Sequence, residues 1–468
     1  MIDLRRPGQR TFGDGFIEEE TAGLWEPWMR QADQVLEDEQ LVNAVYEALL
    51  KRSPKSRTRG RRGNSAEIIL RLLLLKHIRN WSFAVLEREV RPNLLYREFT
   101  RIGSGKVPAA KTLGRQAQAL DPEVVRQIHQ RVVELALEKK VVQGRKMRVD
   151  TTVVETNIHY PTDSSLLGDG DRVLTRLMKK VTSIAGSAGT KLRDRMRSAQ
   201  RRVAEIARAS RAKGEKGKAK IEAIYRKLLE ITSRVVGQAK RFSSEIANGM
   251  KRSSDVLQQA ALQSLKGEID GMVETVGKVV RQTKARVFGG DTHVEGKILS
   301  VFETATEVIR KGKASKPTEF GKLVKIQEAE NQIVIDFEVY DQRPSDSDLL
   351  IPSIEAHQAR MGRTPDLVAA DAGFYSAKNV AEAEELGVKR VSVPNRSTKS
   401  VARRQHQKQR WFKKGQKWRT GSEGRISLLK RRHGLRRSLY KKEKGMKRWV
   451  ALGVIADNLI NMGKAMAK

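Results

Sequence analysis

The sequence predicts an α/β chain in which a core of strands and helices is interrupted by an all-helical insertion and preceded by an all-α region. Three observations carry this. Runs rich in β-branched residues at 146–154, 322–326, 333–340, 366–370 and 389–393 read as strands. After the first of them comes a long basic stretch, 171–286, with very few aromatics and with apolar residues at helical spacing. Ahead of all of them, 64–140 holds several short helical patterns separated by polar joints.

Taken in order, residues 1–63 read as an N-terminal segment, irregular at first. It has one amphipathic helix over 36–50 and a basic linker over 51–63. Asn64, with Glu67 three residues later, is a capping-box signature and predicts a helix from about Ser65 to Arg79. A second helix spans Ser82 to Val90 and stops before Pro92, and a third opens at Pro108 and Lys111-Thr112 and runs to Leu120. Asp121, with Pro122 in the first helical position, starts a fourth that ends near Lys139. Short helices flanked by Arg and Lys suit a helix-turn-helix module that contacts DNA through Lys111 and Arg115; an ordinary helical packing domain gives the same pattern.

Gly144 breaks the helical pattern and the first strand follows. After Pro161 and a loop through Gly170 the helical insertion begins, with turns at 214–217 and 248–249. The core is therefore split into 141–170 and 287–468. In its second part, 322–326 and 333–340 form a hairpin, and a helix capped by Asp346 or Asp348 follows Ser347. The strand 366–370 ends at Asp371, a helix covers 376–386, and the strand 389–393 ends at Pro394. The basic tail holds a helix that starts at a Ser422 cap, putting Glu423 in its first turn, and a last apolar helix over 450–462.

Composition points to the partner. Net charge is +37 and the pI about 10.4, and the positive charge runs through the whole chain of 468 residues. Such a chain favours a polyanion, and DNA is the expected one. A packaging protein would be shorter and poorer in apolar periodic segments. With no cysteine, disulfides, thiolate zinc sites and cysteine nucleophiles are excluded, and seven scattered histidines argue against a His-based zinc site. No run reaches the roughly 18 apolar residues of a membrane span. The N-terminus lacks the apolar stretch of a signal peptide. The expectation is a cytoplasmic, nucleoid-associated protein with no membrane partner.

Glu423 stands out in 396–449, a segment with roughly twenty Lys and Arg and only one other acid, Glu443. Asp150 lies in or just past the first strand and Asp371 just past a later one, where an open sheet presents side chains to a crevice. Three acids from three separated elements can converge on divalent cations, and phosphodiester chemistry runs on such a site without a protein nucleophile. Each acid alone has a plainer use, in a turn or at a helix start. Trp411, Trp418 and Trp449 sit among the cations of the tail. Trp418, beside Arg419, is the best placed to stack on an unpaired base, while anchoring of a late helix is the competing use.

The order of the three acids, with the spacing Arg419-x3-Glu423-x6-Lys430, resembles the DDE transposases of bacterial insertion sequences. So do the stretches 149–155, 158–164 and Gly312-Lys313 through Gly321, and the nearest look is of the ISNCY-type group. The family motif usually begins with a Tyr where this chain has Gln416. The resemblance implies an RNase H-like core with a helical insert, and an enzyme that cleaves and joins DNA at the ends of an insertion sequence. It implies two Mg²⁺ ions, for which Mn²⁺ can substitute, held by Asp150, Asp371 and Glu423. Lys430 would grip a phosphate near the element's end, Arg419 would steady Glu423 or the DNA backbone, and a homodimer or larger assembly on DNA is expected. The alternative is a catalytically inactive DNA-binding protein or repressor derived from such an enzyme.

Overall fold

A computed structural model describes residues 1–6, 11–52, 54–186, 188–211, 214–310 and 318–468. The chain divides into two units, 1–157 with 307–468, and 158–306. The first opens with eight helices: α1 (Phe12–Thr21), α2 (Pro27–Val35), α3 (Glu39–Arg52), α4 (Ala66–Ile78), α5 (Phe83–Val90), α6 (Leu94–Phe99), α7 (Ala110–Ala117) and α8 (Pro122–Glu138). The sequence missed α1 and α2, which carry only short apolar patterns, and α6. The cap of α4 is Ser65, whose hydroxyl accepts from the Ile68 amide, rather than Asn64. Every residue of α4 is buried. Its Arg71 is satisfied by Glu67 at 3.0 Å, by Asp33 at 2.5 Å and by the Phe99 carbonyl at 3.0 Å. Its Lys76 lies over the rings of Trp449 and Phe83, at 4.4 and 5.2 Å.

The strand β1 (Lys146–Glu155) ends this first stretch. The second unit follows, built on four helices: α9 (Asp163–Ala185), α10 (Met196–Ala209), α11 (Glu215–Ala247) and α12 (Val256–Gly289). The helical region thus starts earlier than Gly170. Thr162, not a loop, precedes α9, and its side chain closes a capping box with Ser165. The core joins Leu174 and Leu177 of α9 to Val235 and Phe242 of α11 and Ile269 and Val276 of α12. One carboxylate is locked inside. Asp171, fully buried, accepts from Thr232 at 3.0 Å with one oxygen, while its other oxygen has no partner; burial pushes it up to about 7.

The first unit resumes with β2 (Glu307–Arg310), β3 (Thr318–Glu328), β4 (Val334–Val339), α13 (Leu350–Met361), β5 (Leu367–Ala369), α14 (Ala377–Glu385), β6 (Arg390–Ser392), α15 (Val401–Lys408), α16 (Arg410–Arg432) and α17 (Lys442–Met466). The sequence missed β2, four residues long. Gly312 and Lys313, part of the resemblance, lie outside the described residues. The sheet runs β2-β3-β1-β5-β6, with β4 also paired to β3. β1 is antiparallel to β3 and parallel to β5, and β5 is parallel to β6.

Alternation along β1 assigns its two faces. Met147 and Val149 pack with Leu350 and Ile354 of α13, in a cluster that also holds Ala383 of α14. Arg148 reaches a carbonyl of α16, and Val154 joins the cluster that holds Leu429 of α16 and Leu452, Ile455 and Leu459 of α17. That same cluster takes in α4 and α8, so the N-terminal helices and the sheet share one core.

Candidate active site

Strand register brings the first two acids together. Arg148 of β1 pairs with Ala369 of the parallel β5. Two residues further along β1 stands Asp150, and two residues past Ala369, just beyond the end of β5, stands Asp371, near enough for its charge to act on Asp150. Asp371 caps the short turn after β5, accepting from the Gly373 amide at 2.9 Å. Asp150 accepts from the Thr151 amide at 2.8 Å, and the Ser422 hydroxyl lies 3.1 Å from its other oxygen. Burial, and then repulsion from Asp371, hold the Asp150 carboxyl above the usual range against the pull of Ser422 and Arg419.

Glu423 is not at a helix start. The 23-residue α16 passes through Thr420-Gly421-Ser422 unbroken, and Glu423 lies past its middle. The reason is tertiary. Ser422 does not cap: its hydroxyl sits between the Arg419 carbonyl one turn back, at 2.8 Å, and Asp150. Gly421 makes room for Arg148, since a Cβ there would stand 2.2 Å from the guanidinium. These contacts lay α16 across β1 and set Glu423 one residue beyond the Asp150 contact. Its carboxylate, 64% exposed, pairs with Arg419 at 3.0 Å. Lys430 follows seven residues on, two turns along the same face. Trp418 is half-buried, with the Arg148 guanidinium 5.0 Å from its ring, so one partner for that ring is internal. Trp449 is buried in the core, whereas Lys111 and Arg115 are exposed one turn apart on α7.

Sequence reasoning missed what holds α16 in place. Arg148 donates to the Trp418 carbonyl and to Glu328, each at 2.6 Å. Arg425 binds both oxygens of Asp457 on α17, at 2.7 and 2.9 Å, and its Nε lies 3.8 Å from Glu328. All four side chains are almost fully buried. Burial pushes Asp457 up to about 7 against Arg425, and it raises Glu328 against Arg148 and Arg425. At the departure from the family motif, Gln416 donates through Nε2 to the Ala370 carbonyl at 3.2 Å and to Ser392, tying α16 to the ends of β5 and β6. Gly415 lets the helix approach: a Cβ there would meet the Ser392 hydroxyl at 2.6 Å. Asp346, expected as a cap, instead accepts from the Thr151 hydroxyl at 3.1 Å and lies close to Gly373 beside Asp371.

The donor set suits a hard divalent cation: two carboxylates converge, and a cation between them would offset the repulsion that Asp371 exerts on Asp150. Among the described residues no three His, Asp or Glu side chains group closely enough to hold a metal by themselves. Glu423 is paired with Arg419.

Two family models match the chain: a transposase domain (DUF772) over residues 26–118 and a transposase DDE domain over residues 295–459. Between them they cover more than half of it. No curated protein and no solved structure matches. The second match defines the class, a transposase domain of the DDE type, which implies an RNase H-like fold and a divalent-metal chemistry; the mixed sheet above agrees with that fold. The chain belongs to the DDE transposases of insertion sequences. No helix is long and apolar enough to cross a membrane among the described residues.

Proposed function

We propose that the chain cleaves DNA at the ends of an insertion sequence and transfers the freed 3′-hydroxyl to a new site, with Asp150, Asp371 and Glu423 as its metal-binding acids. The observation that carries this reading is that Asp150 of β1 lies near enough to Asp371, just past the paired strand β5, to feel its charge, while Ser422 of the helix that bears Glu423 contacts Asp150. Bound Mg²⁺ or Mn²⁺ would supply the charge that activates the attacking oxygen and neutralises the leaving one. The residues of the chain do the rest. Asp150, on the central strand and held by Ser422, is the fixed member. Asp371, on a turn, faces it. Glu423 would hold the cation in place of Arg419, and Arg419 would then be free to face the DNA backbone. Lys430, two turns on, grips a phosphate beside the reacting one, and Trp418 edges the same surface. On this reading 64–140 recognises the element's end, α7 presenting Lys111 and Arg115 to the duplex, and two or more copies act together on two ends.

The test is cleavage of end-containing duplex with Mg²⁺ by the parent chain and by Asp150→Asn and Asp371→Asn. The expected result is cleavage by the parent alone, with both variants still binding DNA. Cleavage that survives either substitution would remove these residues from the site. Binding without cleavage by the parent is the behaviour of a repressor.

A further inference from the structure

The helical unit carries one surface that the chemistry above does not use. On α11, positions 216, 220, 227, 234 and 241 follow helical spacing and fall on one face. They are Lys216, Lys220, Lys227, Arg234 and Arg241, and all are exposed. The inward side, with Tyr225, Leu228, Val235 and Phe242, is buried in the unit. The stripe spans 26 residues, about 37 Å from Lys216 to Arg241 at 1.5 Å per residue. One turn of duplex DNA is about 34–36 Å long.

Three comparisons set this stripe apart from an ordinary solvated face. The neighbouring α12, of similar length, pairs Lys266 with Asp270 at 2.8 Å and Lys278 with Glu274 at 2.9 Å, one turn apart in each case. On α11 only Arg234 has such a partner, Glu230; among the described residues Lys216, Lys220, Lys227 and Arg241 form no ion pair. Lys216 and Lys220, one turn apart, carry like charges, an arrangement that costs a helix a few tenths of a kcal/mol. Gly237 lies on the same face between Arg234 and Arg241, and a Cβ there would meet nothing within 4 Å. Packing does not require glycine at that point, and glycine in a helix interior costs roughly 0.5–1 kcal/mol against alanine. A cation row with a side-chain gap inside it fits a partner whose charged backbone comes close.

We propose that this face of α11 is a docking track for the phosphate backbone of duplex DNA, independent of base sequence. The proposal rests on DNA being the partner but not on the carboxylate site. The test is the salt dependence of duplex binding without divalent metal, in an Asp150→Asn background so that cleavage plays no part. Substituting Lys216, Lys220, Lys227 and Arg241 together by Gln should lower the slope of log K against log salt by about 3–4, since each phosphate contact contributes about 0.9. The control substitutes Lys266, Lys278, Arg281 and Lys284 of α12 by Gln and changes net charge equally; its slope should move by less than about 1. Helicity and melting of both variants are followed to establish folding, and Arg241→Gln alone, expected to lower the slope by about 1, serves if the quadruple variant does not fold. Equal losses in the two sets would reduce the effect to net charge and overturn the track. So would an unchanged slope, or a background protein that does not bind duplex. A background that binds while the parent fails to cleave would count against the carboxylate reading and leave the track standing.

Discussion

Gly421→Ala tests how Arg148 positions the helix that bears Glu423. A methyl there would stand 2.2 Å from Arg148 Nη1 and 3.0 Å from Cζ, against an ordinary contact of at least 3.4 Å, so the guanidinium must move by about 1.2 Å (3.4 less 2.2). It cannot move freely, because the Trp418 carbonyl and Glu328 hold it at 2.6 Å and Trp418 stacks on it. Breaking a buried ion pair costs about 3–5 kcal/mol. Arg425, 3.8 Å from Glu328, softens that loss. Alanine returns about 1 kcal/mol of helix propensity. The expected net loss is about 1–3 kcal/mol, read by urea denaturation, with cleavage falling as α16 lifts from Asp150. In an Arg148→Met, Glu328→Met background the obstacle is gone, and Gly421→Ala should stabilise by about 1 kcal/mol. A change of the same sign and size in both backgrounds would refute the reasoning, since sites in contact must couple.

Three further outcomes are expected. Ser422→Ala removes a donor from Asp150 and raises an already raised carboxyl further; on the proposed function Asp150 holds the cation as a carboxylate, so the acid limb of the pH–rate profile should move to higher pH. An unmoved limb would detach Ser422 from the chemistry. Gln416→Leu removes the Gln416 donor from the Ala370 carbonyl and leaves the Ser392 carbonyl to the Ala370 amide, so stability should fall by about 1–3 kcal/mol and the cleavage rate at saturating DNA should fall with it, while DNA affinity holds. Asp171 is pushed up to about 7 in the folded chain, against 3.8 for a solvated aspartate, so the folded chain keeps a proton that the unfolded chain loses across that window. Stability from this group is therefore full below about pH 4 and declines as pH rises toward 7, by on the order of 4 kcal/mol at most. Asp171→Asn should flatten that part of the stability–pH curve, and an identical curve would count against the burial argument.

Local patterns foretold most of the architecture. Ser82 and the Asp121-Pro122 pair mark true helix starts, and the β-branched runs at 146–154 and 389–393 became central and edge strands. What misled were residues whose roles are tertiary. Gly421-Ser422 looks like a helix break, yet the glycine clears a path for Arg148 and the serine answers to Asp150. Asp346 looks like a cap and instead meets Thr151. Arg148, Glu328, Arg425 and Asp457 have no periodic signature, because each is explained only by a partner on another element. The neighbourhood of Asp150 and Asp371 was legible from strand ends, whereas the Glu423–Arg419 pairing depends on a helix whose start the sequence misplaced.

The excursion between β1 and β2 begins and ends in nearly the same place. Glu155 and Glu307 both pair with Gly321, from opposite sides of β3, and two strand spacings separate them by about 10 Å. Three or four extended residues span that gap. Chain closure depends only weakly on loop length, so the sheet places little demand on what is threaded through this doorway. Residues 158–306 can accordingly be read as a cassette: its length can change while the strand order that sets Asp150 beside Asp371 stays fixed.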